Sequence, residues 1–469
     1  MPTRGVSVQK NMPGTPRRDG VPLDRHRPSR IARGLTVLVI ASAVIIGTGV
    51  IPAIHAQQPS PPSPLAPLAS SRVPSTGSPA MRRIDAARKV LASDPTRSDV
   101  WNELGWALSR RARETADQAY YAEAWTATER SLQLEPGNLE GRKLQVWILL
   151  GQHQFPRAIE AAEQLNRAVP DDVLVYGFLV DGYVELGRYE EAEKAAQWML
   201  DIRPGNVPGL TRAAHLRELF GDHAGAVELM DTAYRRTADT ELEDRAWILT
   251  QIAHLSLLTC RAEAAERLLN EALALFPDYH YALALLAEVR LQQGRPAEAV
   301  TLRERHYAAA PHPENQFELG VAMERAGRPA EAQAAWRAFE TAARQEMAGW
   351  DNANIELVYY YADHADRPAD ALKIAHGEWT RRQDVRTREA YAWALHKNGQ
   401  SRDARVEMEK ALAVGIKSPV SFYRAGAIAA AAGAPSDARR YLEQSVSACG
   451  ASAVAESARS LLRGLPGEP

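Results

Sequence analysis

The chain has 469 residues, with 56 Lys and Arg against 58 Asp and Glu and a formal net charge of −2. That balance leaves no basic surplus of the kind nucleic acid requires. Alanine, the strongest helix former, is abundant throughout, and no sustained Val/Ile/Thr alternation follows residue 80, so the folded part reads as all-α. The two cysteines, Cys260 and Cys449, occur in no CxxC, CxxCH or Cys/His spacing, and neither a metal knuckle nor haem attachment is indicated.

Residues 1–33 are polar and basic, carrying Arg17, Arg18, Arg25, Arg27, Arg30 and Arg33. The uncharged stretch Gly34–Ala56 follows. Its apolar core, Leu35–Ile46, matches the h-region of a secretory signal, with Ala56 a small residue at a cleavage point. The same stretch is also long enough for an uncleaved membrane anchor. Either way the flanking arginines stay in the cytoplasm and everything after residue 56 lies outside it, periplasmic or secreted if cleaved. Residues 57–80 are rich in proline and serine and are expected to form a disordered spacer.

From there a period governs the chain. The hexapeptide GRPAEA occurs at Gly294–Ala299 and again at Gly327–Ala332. Its final alanine has equivalents at Ala124, Ala158, Ala192, Ala226, Ala265, Ala299, Ala332, Ala371, Ala404 and Ala438, spaced 33 or 34 residues apart and twice stretched to 39. Five residues earlier stands a turn residue, as at Gly187, Gly221, Gly294, Gly327, Gly399 and Gly433, with Asp366 and Cys260 as departures. Each unit therefore predicts two helices joined by a tight turn and closed by proline, as at Pro136, Pro170, Pro204, Pro277 and Pro311. The alanine is small because two helices cross there, and a bulkier residue would cost about 1–3 kcal/mol.

These residues resemble the tetratricopeptide repeat (TPR), whose pattern is W-x2-L-G-x2-Y, then Ala, then Pro over about 34 residues. Trp101–Leu108 (WNELGWAL) matches the opening and Leu186–Asn206 the second half. The resemblance implies a right-handed α-solenoid of about ten units, over residues 81–447. Extra residues are expected before Ala124, near Thr237–Asp244 and near Ala343–Asn352, and a C-terminal capping helix with its tail over 448–469. No disulfide is expected between Cys260 and Cys449, because in a stack built from nearest neighbours such distant segments should not meet.

The resemblance also implies that the first helices line a concave groove that holds protein partners. Two sets of positions would face it. One is Trp106, Trp147, Asp181, His215, His254, Glu288, Val321, Tyr360, Trp393 and Ala427. The other, four residues earlier in each unit, includes Asn102, Lys143, Gly177, Thr211, Thr250, Phe317, Glu356 and Glu389. The family's clamp for a C-terminal carboxylate pairs lysine with asparagine, whereas here Lys143 is paired with Trp147, which argues against a receptor of that kind. Glu356, Tyr360, Asp363, Glu389 and Trp393 combine carboxylates with rings, the chemistry expected to grip a basic or amphipathic segment. The competing expectation is that these aromatics pack between repeats. His215, His254 and Glu288 stand at equivalent positions of successive units, but first helices about 8–10 Å apart need not bring them together on a metal.

No phosphate loop, zinc-protease or nucleophile-elbow motif appears, so no enzyme and no cofactor are expected. The leading expectation is a monomeric, non-catalytic interaction scaffold outside the cytoplasm of a bacterium. A dedicated accessory subunit of an envelope export or assembly machine is the alternative, and a carbohydrate binder or enzyme a more remote one.

Overall fold

The computed structural model describes residues 78–349, 351–450 and 452–466. The stretch read as a signal or anchor, and nearly all of the spacer, lie outside these residues. Among the described residues no helix is long and apolar enough to cross a membrane.

Twenty-two helices and no strand are present among the described residues. Ten antiparallel pairs run from α2 (Ser98–Thr115) and α3 (Ala119–Leu134) to α20 (Pro419–Ala431) and α21 (Pro435–Ala448). An additional helix stands at each end, α1 (Pro79–Ser93) and α22 (Ala453–Gly464), the second within the stretch 448–469 expected to hold a capping helix. The first was not anticipated; it packs Ile84, Ala87 and Leu91 against the first pair. The fold is the expected all-α solenoid of ten helix-turn-helix units.

All ten periodic alanines sit on second helices with no exposed surface. The two helix types bury differently. In the third pair, α6 (Val173–Glu185) buries Val175 and the whole run Gly177–Glu185, whereas α7 (Tyr189–Ile202) buries only Ala192, Ala195, Ala196 and Met199. First helices are therefore enclosed on several sides, and second helices form an outer layer with one apolar face. The extra residues fall where expected: α2 and α15 (Pro329–Glu346) each reach 18 residues, and α10 (Leu242–Leu258) 17.

The turn between the two helices of each pair is left-handed in every unit. Ala116, His153, Gly187, Gly221 and Cys260 have φ of 53–79° in the first five pairs, and Gly294, Gly327, Asp366, Gly399 and Gly433 have 50–80° in the last five. Within this common geometry the two sets differ in surroundings. Each of the first five turns touches the connection that follows the pair five places later, so the solenoid lays its second circuit on its first.

This seam is continuous. His312 Nε2 donates to Ala116 O at 2.7 Å, across 196 residues. His153 Nδ1 lies 2.9 Å from the Asp351 carboxylate. Arg382 pairs with Glu185, and Val385 N donates to the Tyr189 hydroxyl at 2.8 Å. Gly221 lies against Gly415 O. At its end Cys260 and Cys449 form a disulfide, their Cα atoms 5.3 Å apart across 189 residues. The expectation that these cysteines stay separate is thus corrected. Contacts in a solenoid are local only until the superhelix completes a circuit, after which units five places apart become neighbours. The seam is apolar as well as polar: Val385, Ala411 and Ile416 belong to the same core as Phe155, Leu216 and Leu219.

The lengthened α2 anchors the start of the seam. Its final carbonyls have no partner within the helix, and the Arg113 carbonyl accepts from His280 Nε2 at 3.1 Å. The Arg113 guanidinium pairs with Glu243 at 2.9 Å, and the Tyr279 hydroxyl donates to the same carboxylate at 2.8 Å. Burial pushes the His280 pKa down to about 4, since a cationic ring would be desolvated there, close to His312 and Arg113.

Two measurements follow. Alanine at either Gly187 or Gly399 would occupy a left-handed backbone, at about 1–2 kcal/mol. At Gly187 the new Cβ would also lie 2.3 Å from Gln383 O, whereas at Gly399 it would meet nothing within 4 Å. Gly187→Ala should therefore lower the melting temperature clearly more than Gly399→Ala, and equal losses would deny the seam. The second concerns acid. A folded-state pKa depressed from 6.5 to about 4 means that His280 contributes stability fully above about pH 6.5, lost as pH falls towards 4. The loss should be on the order of 3 kcal/mol. His280→Gln, which keeps a donor, should flatten that part of the melting-temperature profile.

Candidate interaction face

The first helices carry a row of side chains along the inner side of the solenoid. At the N-terminal end the Trp106 and Trp147 rings lie 5.5 Å apart, and Trp147 continues to Phe178 at 6.2 Å. Trp147 is buried and Trp106 partly exposed. Lys143 is held by Glu140 and Asp172, each at 2.6 Å, so its ammonium is already committed.

Next comes a buried ion pair. Arg212 Nε donates to Asp181 at 2.9 Å and to Gly177 O at 3.0 Å, and its Nη2 to the other Asp181 oxygen at 2.5 Å. Burial pushes the Asp181 carboxyl up, and the guanidinium opposes it. Gly177 is small for a reason: a Cβ there would lie 3.0 Å from the Arg212 guanidinium carbon. One repeat further, His254 Nε2 lies 2.9 Å and His215 Nδ1 3.5 Å from the two oxygens of Glu218. Burial alone would raise the Glu218 pKa, but the two imidazoles override it and hold the carboxyl well below its usual range. Thus His215 and His254 do come together, around a glutamate that the sequence reading did not single out. Glu288 stands apart from them; burial raises its pKa and Arg303 opposes the rise.

The C-terminal half concentrates rings. Tyr360 lies 6.3 Å from Trp336 and 5.8 Å from Phe339, edge-on to the latter. The Trp393 indole donates to both Asp363 oxygens at 3.1 and 3.0 Å, and Lys397 reaches Asp363 at 3.0 Å. Arg386 pairs with Glu356. Arg424 lies 4.1 Å over the Tyr359 ring and donates to its hydroxyl at 2.8 Å.

Of the expected groove residues, Trp147, His215, His254, Glu356, Tyr360, Glu389 and Trp393 are therefore buried. Trp106 and Glu288 are partly exposed, and Asp363 is exposed. The structure also brings in Arg386 and Arg424, both partly exposed, each three residues before an expected position, Glu389 and Ala427. Buried pairs give the row a rigid base, while the groups that solvent reaches carry both signs of charge. Among the missed residues, Arg212 had a sequence signal, a glycine at position 177 where neighbouring repeats carry larger side chains. Glu218 had none, since it lies near the end of its helix.

The family model of the tetratricopeptide repeat matches residues 144–207 and 261–313, so the chain carries tetratricopeptide repeats. No curated protein matches the sequence. Among solved structures, the human protein of "Human IFIT1 dimer with m7Gppp-AAAA" is 13% identical, with 78% of this chain and 85% of that chain covered at a TM-score of 0.48. PilW, a type IV pilus biogenesis factor, is 15% identical, with 45% and 97% covered at 0.38. A thermophilic TPR protein of Thermus thermophilus is 20% identical, with 44% and 100% covered at 0.35. Repeats of this type support a protein-interaction scaffold, generally a non-catalytic one.

Removing Arg212 would leave Asp181 buried and unpaired, a change that costs about 3–5 kcal/mol. Arg212→Met should therefore lower stability strongly, and Trp393→Ala, which empties a buried site, by about 3–5 kcal/mol. Thermal melts check both; a Trp393→Ala protein as stable as the wild type would mean that the ring packs against nothing.

Proposed function

We propose that this protein is an exported, non-catalytic scaffold that holds an amphipathic segment of an envelope partner along its inner face. The observation that carries the location is the disulfide. Its two cysteines stand in distant repeats and meet only because the second circuit lies on the first. Disulfides of this structural kind form and persist in oxidising compartments and are rare in the cytosol. This agrees with the uncharged Gly34–Ala56 stretch and its arginine-rich flank, read as a signal or anchor. The partner chemistry rests on the partly exposed Trp106, Glu288, Arg386 and Arg424 and the exposed Asp363 above a buried base, a mixture of ring and both charges.

In-cell cross-linking of the full-length protein in its host, with mass spectrometry of the captured peptides and of both cysteines, tests the proposal. Oxidised Cys260–Cys449 in an envelope fraction, with cross-links on first-helix residues, is the expected result. A single recurrent partner would make the protein a dedicated subunit of an envelope assembly. Reduced cysteines in a cytosolic fraction would overturn the exported reading.

A further inference from the structure

The longer interval between Ala332 and Ala371 does more than offset the stack. It lengthens α15 to 18 residues, while the next helix, α16 (Asn354–Asp363), has only 10. The extra turn of α15 carries Arg344 towards α17 (Pro368–Arg381), and a cleft of about 270 Å³ opens between the three helices. Met347, Ile374 and Tyr361 supply apolar lining, and Gly377 leaves its wall open, since a Cβ there would meet nothing within 4 Å.

Four cations line this cleft, Arg344, Arg367, Lys373 and Arg381, against two carboxylates, Asp370 and Glu378. The pairing among them is uneven. Arg367 is held by Asp370 at 2.6 Å and by Glu340 at 2.8 Å, and Arg381 by Glu378 at 3.0 Å. Glu340 also accepts from the Tyr361 hydroxyl at 2.7 Å, so Arg344 shares an already occupied carboxylate, at 3.5 Å. Lys373 is exposed and makes no ion pair among the described residues. Arg367 and Arg381 thus stiffen the walls, while Arg344 and Lys373 keep most of their charge for something else.

We infer that this outer cleft is a second docking site, one that takes an acidic peptide segment of a partner protein. A carboxylate of the segment sits between Arg344 and Lys373, and a neighbouring apolar side chain lies on Met347 and Ile374. The site is separate from the inner face and does not depend on what that face holds. A repeat of regular length would close it, because the next helix pair would pack where the extra turn now stands apart.

Fluorescence anisotropy on the full-length protein tests this, with a fluorescein-labelled peptide of glutamates flanking a single phenylalanine. Saturable binding with Kd on the order of 10–100 µM is expected, the range of a small, partly exposed contact. Lys373→Glu and Arg344→Glu should each weaken it at least about fivefold, and Lys373→Gln somewhat less. Lys89→Glu, an exposed lysine on α1, should leave it unchanged. Unsaturated binding, unchanged affinity in the Lys373 and Arg344 variants, or equal binding of a lysine-for-glutamate peptide would each overturn the assignment. Melting temperatures of the variants matched to wild type keep a loss of binding distinct from a loss of fold.

Discussion

The structure depends on the contact between successive circuits of the solenoid. A stack of helical pairs is held by nearest-neighbour packing alone and can bend or open like a spring. Here the first five turns rest on connections 189–198 residues further along, through hydrogen bonds, ion pairs, apolar packing and one covalent bond. That contact sets the curvature, because a change in the angle between any two pairs would pull the seam out of register. It also makes units at opposite ends of the chain share one core, so unfolding of the N-terminal repeats and of the ninth pair should be coupled.

The seam explains a difference between turns that share one backbone geometry. Two residues after the left-handed position, the docked turns carry Gln118, Phe155, Tyr189, His223 and Ala262, while the free turns carry Pro296, Pro329, Pro368, Ser401 and Pro435. Phe155 and Gln118 are buried, and Tyr189 accepts across the seam. Proline suits the first turn of a helix that faces solvent, but it offers no aromatic ring or side-chain amide to a neighbour. The repeated GRPAEA hexapeptides are both free turns, alike because their surroundings are alike.

The inner face follows from the same closure. First helices enclosed on several sides bring polar side chains into regions of low dielectric, where each needs a partner. Asp181 has Arg212, Glu218 has two histidines, and Glu356 has Arg386. These pairs leave few groups free to choose a ligand, and they shift the interest from the buried tryptophans to the partly exposed groups above them. The same consideration makes the outer cleft distinctive, since there the helices are held apart and two cations lack full neutralisation.

The helical pairs, their number, the crossing alanines and the places where extra residues intrude were all legible in the repeat pattern. All of these follow from contacts within one unit or between adjacent ones, and such contacts recur with the period. Tertiary structure alone decided that Cys260 meets Cys449, that His280 and His312 cap α2, and that Trp393 is spent on Asp363. Small rotations between successive pairs add up around the circuit, and no local pattern records their sum. Where that sum brings the chain back on itself, residues far apart in sequence become partners.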